Sequence, residues 1–177
     1  ISSNELDNWS SKLGLEVIKE ELILLKNKKS SKHDIIKNIV SYIRLEWLIA
    51  LLIKNRCSEI EIKPNLKSDD EGIPYHQAPP KKFDIEIENK EDYIFIEATL
   101  INNAEQVPRE INKIPRKIND YIFINSSKDK KTLFIAPSIH EDSKNMTEWL
   151  FEQKDIKIIN YNIEEFIKKI ETSGTLN

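Results

Sequence analysis

The chain has 177 residues, enough for one domain that buries a self-sufficient hydrophobic core. Hydrophobic residues make up 39% and charged residues 32%, with three glycines, which indicates a soluble globular protein and excludes a low-complexity chain. The net charge of −3 argues against a protein that holds nucleic acid by bulk electrostatics alone, because phosphate neutralisation normally requires an excess of Lys and Arg.

Cysteine content and hydropathy restrict the setting of the protein. The single Cys57 excludes an internal disulfide and cannot build a zinc site by itself, so a reducing, intracellular setting is the simpler interpretation. The longest apolar run, residues 45–53, contains Glu46 and is too short to cross a bilayer. The chain begins at Ile1 with no charged and apolar leader, which favours a trimmed or excised cytoplasmic protein.

The first third of the chain predicts two helices. Apolar residues recur at helical spacing over residues 13–25, and this helix ends at the basic stretch 26–32. A second, largely buried helix is expected from Asp34, whose side chain suits an N-cap. Residues 58–63 alternate Ile with Glu and predict a short strand, and the proline-rich residues 64–80 predict a loop.

A β-hairpin is predicted over residues 83–100. Apolar residues alternate with acids before residue 89, and the alternation resumes after residue 92. If the turn is centred between Lys90 and Glu91, Asp84 lies directly opposite Glu97 and Thr99 points to the same side. Two opposed carboxylates destabilise a sheet unless a cation lies between them, and hard divalent cations prefer carboxylate oxygens. The alternative is an ordinary amphipathic hairpin with an acidic solvent face.

The rest of the chain alternates helices and strands. Helices are expected near residues 111–121, 146–153 and 164–170, and strands near 132–136 and 156–161. This order predicts an α/β fold with a mixed sheet flanked by helices. We expect residues 1–33 to form an N-terminal helical extension and residues 34–177 to form the main domain.

Glu46 is a second candidate functional acid. It is the only charged residue within the apolar run 45–53, and an unpaired carboxylate there would cost several kcal/mol or be forced neutral. A metal-bound water or a basic partner would remove that cost. The alternative is a residue at the edge of the apolar face, paired with Arg44 or Lys54.

Charged residues of segment 109–117 could complete a site. Glu110, Lys113 and Lys117 share one helical face if the segment is a single helix. Pro115 would cost a backbone hydrogen bond in mid-helix, so the helix can instead begin near Pro115 and leave Glu110 in a preceding turn. A basic group beside two acids could hold a phosphate or stabilise developing negative charge, whereas the alternative is a solvated charged face.

Together these stretches resemble the AlwI-like restriction endonucleases, a branch of the PD-(D/E)XK nuclease superfamily that includes type IIS enzymes, nicking enzymes and small catalytic subunits. The segments that carry the resemblance keep their order along the central part of the chain, at residues 45–47, 69–74, 78–79, 83–85, 97–100, 106, 110 and 116–117. The resemblance implies a restriction-endonuclease-like fold in a bacterial intracellular protein.

The resemblance also implies roles for individual residues. Asp84 and Glu97 would bind Mg²⁺, for which Mn²⁺ can substitute, and Glu46 would support the metal from its helix. Glu110 would join the site or orient a basic neighbour. The superfamily's usual Lys two residues after the second acid is Thr99 here. Where relatives carry His after Arg, this chain has Lys117, which could replace the missing lysine.

The expected activity is Mg²⁺-dependent hydrolysis of double-stranded DNA by the cleavage module or subunit of a type IIS restriction endonuclease, with one strand cut per active site. A second copy, or a larger recognition or nicking subunit or domain, would be the partner. Two alternatives stay open. One is a repair or recombination nuclease of the same superfamily, and the other is a non-catalytic interaction subunit of a larger DNA enzyme.

Overall fold

The computed structural model describes residues 1–121, with Tyr121 as backbone only, and residues 127–176. Helix α1 (Ser3–Lys26) begins at a capping box formed by Ser2 and Glu5 and is kinked at Gly14, whose φ is +78°. The prediction of a helix over residues 13–25 found only its second half. The first half was missed although Leu6, Trp9 and Leu13 lie buried on one face, because polar residues fill the positions between them.

Helix α2 (Ser41–Arg56) has Val40 at its N-cap position, six residues after the predicted cap. The prediction that Asp34 caps this helix was wrong. Residues Ile36–Asn38 form a separate 3-10 turn, and His33 Nδ1 accepts hydrogen bonds from the backbone N–H groups of Ile35 and Ile36. Residues 43–54 of α2 are all buried, which explains why the sequence there is an almost unbroken apolar run.

Among the described residues, the main sheet has five strands in the order β1-β4-β5-β6-β7. Its members are β1 (Ile62–Pro64), β4 (Ile85–Glu88), β5 (Asp92–Ala98), β6 (Asp129–Ala136) and β7 (Lys157–Asn162). Strand β4 runs antiparallel to both of its neighbours, β1 and β5, whereas β5, β6 and β7 run parallel. The predicted mixed sheet flanked by helices is therefore confirmed.

A small two-stranded sheet, β2 (Lys67–Ser68) with β3 (Pro74–His76), lies where the sequence predicted only a loop. Asp69 organises its turn, because one carboxylate oxygen accepts from the backbone N–H groups of both Glu71 and Ile73 at 2.9 Å. The indole of Trp9 donates to the Glu71 carbonyl, which ties the turn to α1. Gly72 has φ +76°, and a Cβ there would lie 3.0 Å from a Glu5 side-chain atom. This acidic turn is structural.

The remaining described helices lie on both faces of the sheet. They are α3 (Gln106–Arg109), α4 (Ile114–Tyr121), α5 (Glu141–Lys154) and α6 (Ile163–Ser173), with a 3-10 turn at Ile111–Lys113. Helix α6 lies on the same face as α1 and α2. Of the two readings of segment 109–117, the shorter helix is correct, since α4 begins at Ile114 and Pro115 occupies its first turn. Helices α5 and α6 and strands β6 and β7 lie near their predicted positions, with different ends. The strand predicted over residues 58–63 overlaps β1 only at Ile62 and Lys63, and the short helix α3 was not predicted.

The two faces of the sheet pack against different helices. The larger cluster joins α1, α2 and α6 to the Ile and Leu side chains of one face, among them Ile85, Ile94 and Leu133. On the other face, Phe83 and Phe95 pack against Ile114 and Ile118 of α4. Helix α1 shares the main cluster with α2, and the division of the chain at residue 33 stays a prediction. In the described part of the chain, no helix is long and apolar enough to cross a membrane.

Candidate active site

Asp84 and Glu97 are neighbours across two antiparallel strands. Ile85 pairs with Ile96 and Glu86 with Phe95, so the register continues to Asp84 opposite Glu97, as the sequence predicted. The Asp84 backbone N–H donates to the Ile96 carbonyl at 3.1 Å. Asp84 Oδ2 accepts a hydrogen bond of 2.8 Å from the Ala98 backbone N–H, which fixes its carboxylate at the carboxyl end of β5.

Both carboxylates are buried and are costly to ionise. Asp84 is 8% exposed and Glu97 is 3% exposed. Burial raises the pKa of each well above its ordinary value. The charge of Glu46 raises the pKa of Asp84 further, and the charge of Asp84 raises that of Glu97. The acids therefore share one electrostatic environment.

Glu46 reaches this pair from helix α2. Its pKa rises to about 7, mainly because of burial, while the Ala78 backbone and the Asp84 side chain lower it through hydrogen bonding and the Glu97 charge raises it. Arg44 and Lys54, the alternative partners that the sequence offers for Glu46, contact other groups. Arg44 donates to the Ile39 carbonyl, and Lys54 lies 3.5 Å from Asp7.

One oxygen of Glu46, Oε2, is buried and has no hydrogen-bond partner among the residues that the structure describes. A buried, unsatisfied carboxylate oxygen is unfavourable in a protein interior. Neighbouring Trp47 also has an unpartnered buried nitrogen, so the feature does not by itself identify a ligand. Its position beside Asp84 makes Glu46 a candidate support for a bound cation.

Lys117 supplies the positive charge within this group of acids. Its Nζ lies 2.6 Å from Glu97 Oε1, and both side chains are almost fully buried. The ammonium also lies 5.5 Å from the centroid of the Phe83 ring. Helix α4 begins at Ile114, so Lys117 lies in its first turn, on the side that faces the sheet. This position agrees with the predicted helix that starts near Pro115.

Thr99 and Glu110 form the outer part of the cluster. Thr99 Oγ1 makes a long hydrogen bond of 3.5 Å to Glu110 Oε1 and accepts one of 3.1 Å from the Ile101 backbone N–H. Burial raises the pKa of Glu110, while the nearby charges of Lys113 and Lys117 lower it. All six predicted site residues are thus brought to one end of the sheet.

No role is predicted for Gln106 from the sequence, although this residue belongs to the segments that carry the resemblance. Its side chain is fully buried, and Nε2 donates to the carbonyls of Ile101 and Ser138 at 2.7 Å each. Oε1 accepts from the His140 backbone N–H and the Ser143 hydroxyl. Gln106 therefore fastens the chain that follows Thr99 to the start of α5. The sequence alone does not show that this polar side chain is buried, because its hydrogen-bond partners come from other segments of the chain.

The donor chemistry fits a hard divalent cation. Asp84, Glu97 and Glu46 offer carboxylate oxygens, and a cation would offset their mutual repulsion. Across residues 1–121 and 127–176, however, no three His, Cys, Asp or Glu side chains stand in a ready-made metal-binding arrangement. One oxygen of Glu97 is occupied by Lys117, so a bound cation would use its other oxygen or displace the ammonium.

A mixed sheet with buried opposed acids at a strand end is the architecture of a restriction-endonuclease-like protein. The structure is similar to the small subunit (R.BspD6I2) of the heterodimeric restriction endonuclease R.BspD6I, with a TM-score of 0.68 and 22% sequence identity over 88% of this chain and 79% of that chain. The family model described as AlwI restriction endonuclease matches residues 4–169, and the chain belongs to this family. A comparison with curated protein sequences gives no match.

Proposed function

We propose that this chain hydrolyses phosphodiester bonds of double-stranded DNA with a divalent cation, Mg²⁺ or Mn²⁺, held by Asp84 and Glu97. The observation that carries the proposal is the packing of these two buried carboxylates against Glu46 and Lys117 at one end of the sheet. Membership of the AlwI restriction endonuclease family supports the same activity.

Charge balance favours a bound cation at this position. Three carboxylates are at least nine-tenths buried, and Lys117 is the single cationic side chain that hydrogen-bonds to one of them in the described residues. Without a further positive charge, burial and mutual repulsion raise the pKa of all three acids and disfavour their charged forms. Such a cluster serves no evident purpose in packing, because apolar residues of equal volume would fill the space at lower cost.

Each residue of the cluster has a role that its position supports. When bound, the cation would supply Lewis-acid polarisation of the phosphate and acidification of water. Asp84 and Glu97 would hold it, and Glu46 would support it from α2. Lys117 can release Glu97 and place its ammonium against the phosphate, where positive charge stabilises the transition state. Glu110 would orient the Thr99 hydroxyl and keep a negative charge near Lys117.

A partner is part of the proposal. One cluster of this kind cuts one strand, so cleavage of both strands requires a second active site in another copy or in a larger recognition or nicking subunit. The similar structure is itself a subunit of a heterodimeric restriction endonuclease. The net charge of −3 fits a cleavage module of a type IIS enzyme whose affinity for its DNA site resides elsewhere.

The test is a nicking assay on supercoiled plasmid with Mg²⁺, Mn²⁺ or EDTA, first with the purified chain and then with a candidate partner. We expect cation-dependent nicking that Asp84→Asn and Glu97→Gln abolish. The matched control is Glu88→Gln. Glu88 lies at the end of strand β4 and pairs with Lys128, and this variant should retain activity. Full activity in either of the first two variants would refute the proposal.

Calorimetry separates this function from that of a non-catalytic interaction subunit. The proposed enzyme should bind Mn²⁺ in a manner that depends on Asp84, whereas an interaction subunit should bind none. Defined sites compared with branched junctions as substrates would separate a restriction enzyme from a repair or recombination nuclease.

A further inference from the structure

A cleft of about 330 Å³ lies at the same edge of the sheet as the candidate active site. The chain leaving β5 contributes Leu100, directly after Thr99, and the chain leaving β6 contributes Pro137. The last turn of α1, the first turn of α2 and the segment that joins these two helices complete its lining. The cleft and the acidic cluster are therefore neighbours along the ends of adjacent strands.

The cleft is positively charged in a protein whose net charge is negative. Lys28, Lys29, Lys37 and Arg44 line it, and no acidic residue does. Within the described part of the chain, Lys28, Lys29 and Arg44 form no ion pair. Lys37 pairs with Asp34, whose side chain is 96% exposed, so solvent screens that pair. The positive charge of the cleft is thus largely uncompensated.

Arg44 is the most informative of these residues because it is buried. Its side chain is held by hydrogen bonds from Nε and Nη2 to the Ile39 carbonyl, at 3.3 and 2.8 Å. A buried cation with no carboxylate partner is unfavourable unless an anion joins it. The buried acid Glu21 accepts from the hydroxyl of Ser31, which also lines the cleft, and forms no ion pair with Arg44 among the described residues.

Lys28 occupies a backbone position that ordinarily favours Gly or Asn. It follows the C-cap of α1 with φ +56°, and its backbone N–H donates to the Leu25 carbonyl. A lysine suits the negative end of a helix, so Lys28 is favourably placed after the C-cap of α1. The hydrogen bond from the Lys29 N–H to the Leu24 carbonyl fixes the next lysine in the same turn.

We propose that this cleft binds phosphodiester groups of the DNA backbone that lie a few nucleotides from the bond to be cut; the assignment rests on the proposed function. Adjacent strands of a sheet are about 4.8 Å apart, and each DNA strand carries a charge about every 3.4 Å along its axis. A DNA strand that passes the acidic cluster can therefore place further phosphates over Lys28, Lys29 and Arg44.

Fluorescence anisotropy with a labelled duplex and the Asp84→Asn chain measures DNA binding without cleavage. The test variant is Lys28→Gln/Lys29→Gln, and the control is Lys154→Gln/Lys168→Gln, which removes the same charge from exposed lysines of α5 and α6. We expect the plot of log affinity against log salt to become less steep by about 1.8 in the test variant, since each lost phosphate contact contributes about 0.9. The control should keep the parent slope.

Three results would overturn the assignment. The first is an equal loss of DNA affinity in the test and control variants, and the second is no DNA binding by the parent chain at the lowest salt. The third is that inorganic phosphate displaces DNA far more than chloride does at equal ionic strength, which would indicate a site for free phosphate. Arg44→Lys, which keeps the charge but loses the planar donor pair, should weaken binding less than Arg44→Gln.

Cleavage distinguishes failure of this assignment from failure of the proposed function. One outcome is that the unmodified chain nicks plasmid and that, at raised salt, Lys28→Gln/Lys29→Gln nicks at the same rate as Lys154→Gln/Lys168→Gln. In that case the cleft is not a substrate site, although the chain is a nuclease. If no cation-dependent nicking occurs under any condition, the proposed function itself fails.

Discussion

Lys117 Nζ lies 2.6 Å from Glu97 Oε1, and the two side chains are 9% and 4% exposed. Strand β5 and helix α4 supply the two groups, so formation of this ion pair depends on the docking of α4 against the sheet. The same ammonium lowers the pKa of Asp84, Glu46 and Glu110 through its charge. Lys117 thus acts on the whole acidic cluster from one position.

Lys117→Ala should slow DNA cleavage more than it weakens the fold. Loss of a positive charge aimed at the reacting phosphate costs about 10²-fold in rate, whereas Glu97 can take up a proton when its partner is removed. The measurement is single-turnover nicking at saturating Mg²⁺, together with urea unfolding of the same variant. Lys154→Ala, which removes an exposed lysine of α5, is the control. An unchanged cleavage rate in Lys117→Ala would remove this residue from the site.

The metal-free protein should lose stability as the pH rises from about 4.5 to about 7. Glu46 has an ordinary pKa of 4.5 and a folded pKa of about 7, so the folded state binds more protons than the unfolded state in this interval. Its favourable contribution is fully present below pH 4.5 and is lost by pH 7. The size is about 3 kcal/mol, at 1.36 kcal/mol for each pKa unit.

Glu46→Gln isolates this effect because it removes the titrating group and retains its shape. We expect a flatter dependence of the free energy of unfolding on pH for this variant, measured by urea denaturation in EDTA. Glu148→Gln, an acid on the exposed face of α5, should keep the parent profile. A Glu46→Gln profile that overlays the parent would contradict the raised pKa.

Divalent cations should stabilise the folded chain at pH 8 through the acidic cluster. A ligand that binds only the folded state at 100 times its Kd adds about 2.7 kcal/mol, which is a rise of roughly 5 to 10 °C in Tm for a chain of this size. Thermal denaturation with and without Mn²⁺ measures the shift. Asp84→Asn/Glu97→Gln should abolish the shift, and Glu88→Gln should preserve it. An equal shift in all three proteins would locate the binding elsewhere.

Local patterns were sufficient to predict the hairpin that carries Asp84 and Glu97. Alternation of apolar and acidic residues set the strands, and a turn of fixed length then set the register, so both were available from adjacent residues. The position of Glu46 as the only charged residue in the apolar run 45–53 was equally evident from the sequence. These are short-range features of the chain.

Long-range contacts could not be predicted in the same way. The start of α2 depends on the 3-10 turn at Ile36–Asn38 and on His33, which competes with Asp34 for the local backbone N–H groups. The β2–β3 hairpin depends on Trp9 of α1, which lies 62 residues before its acceptor on Glu71. The ion pair between Lys117 and Glu97 likewise required the packing of α4, which periodicity alone does not determine.

Gln106→Leu should destabilise the protein and reduce cleavage together. The substitution leaves the Ile101 and Ser138 carbonyls, the His140 N–H and the Ser143 hydroxyl without their partner, and each buried group left unpaired costs about 1 to 3 kcal/mol. After partial rehydration we expect a loss of about 3 kcal/mol in the free energy of unfolding. Gln153→Leu, on the exposed surface of α5, should change it by less than about 0.5 kcal/mol.

The same variant tests whether Gln106 positions the end of β5. Since Gln106 holds the Ile101 carbonyl two residues after Thr99, its loss should lower kcat at a temperature where the variant is still fully folded by circular dichroism, with little change in DNA affinity. A purely structural residue would lower Tm and leave kcat of the folded fraction unchanged. That outcome would confine Gln106 to stability and exclude it from positioning the acidic cluster.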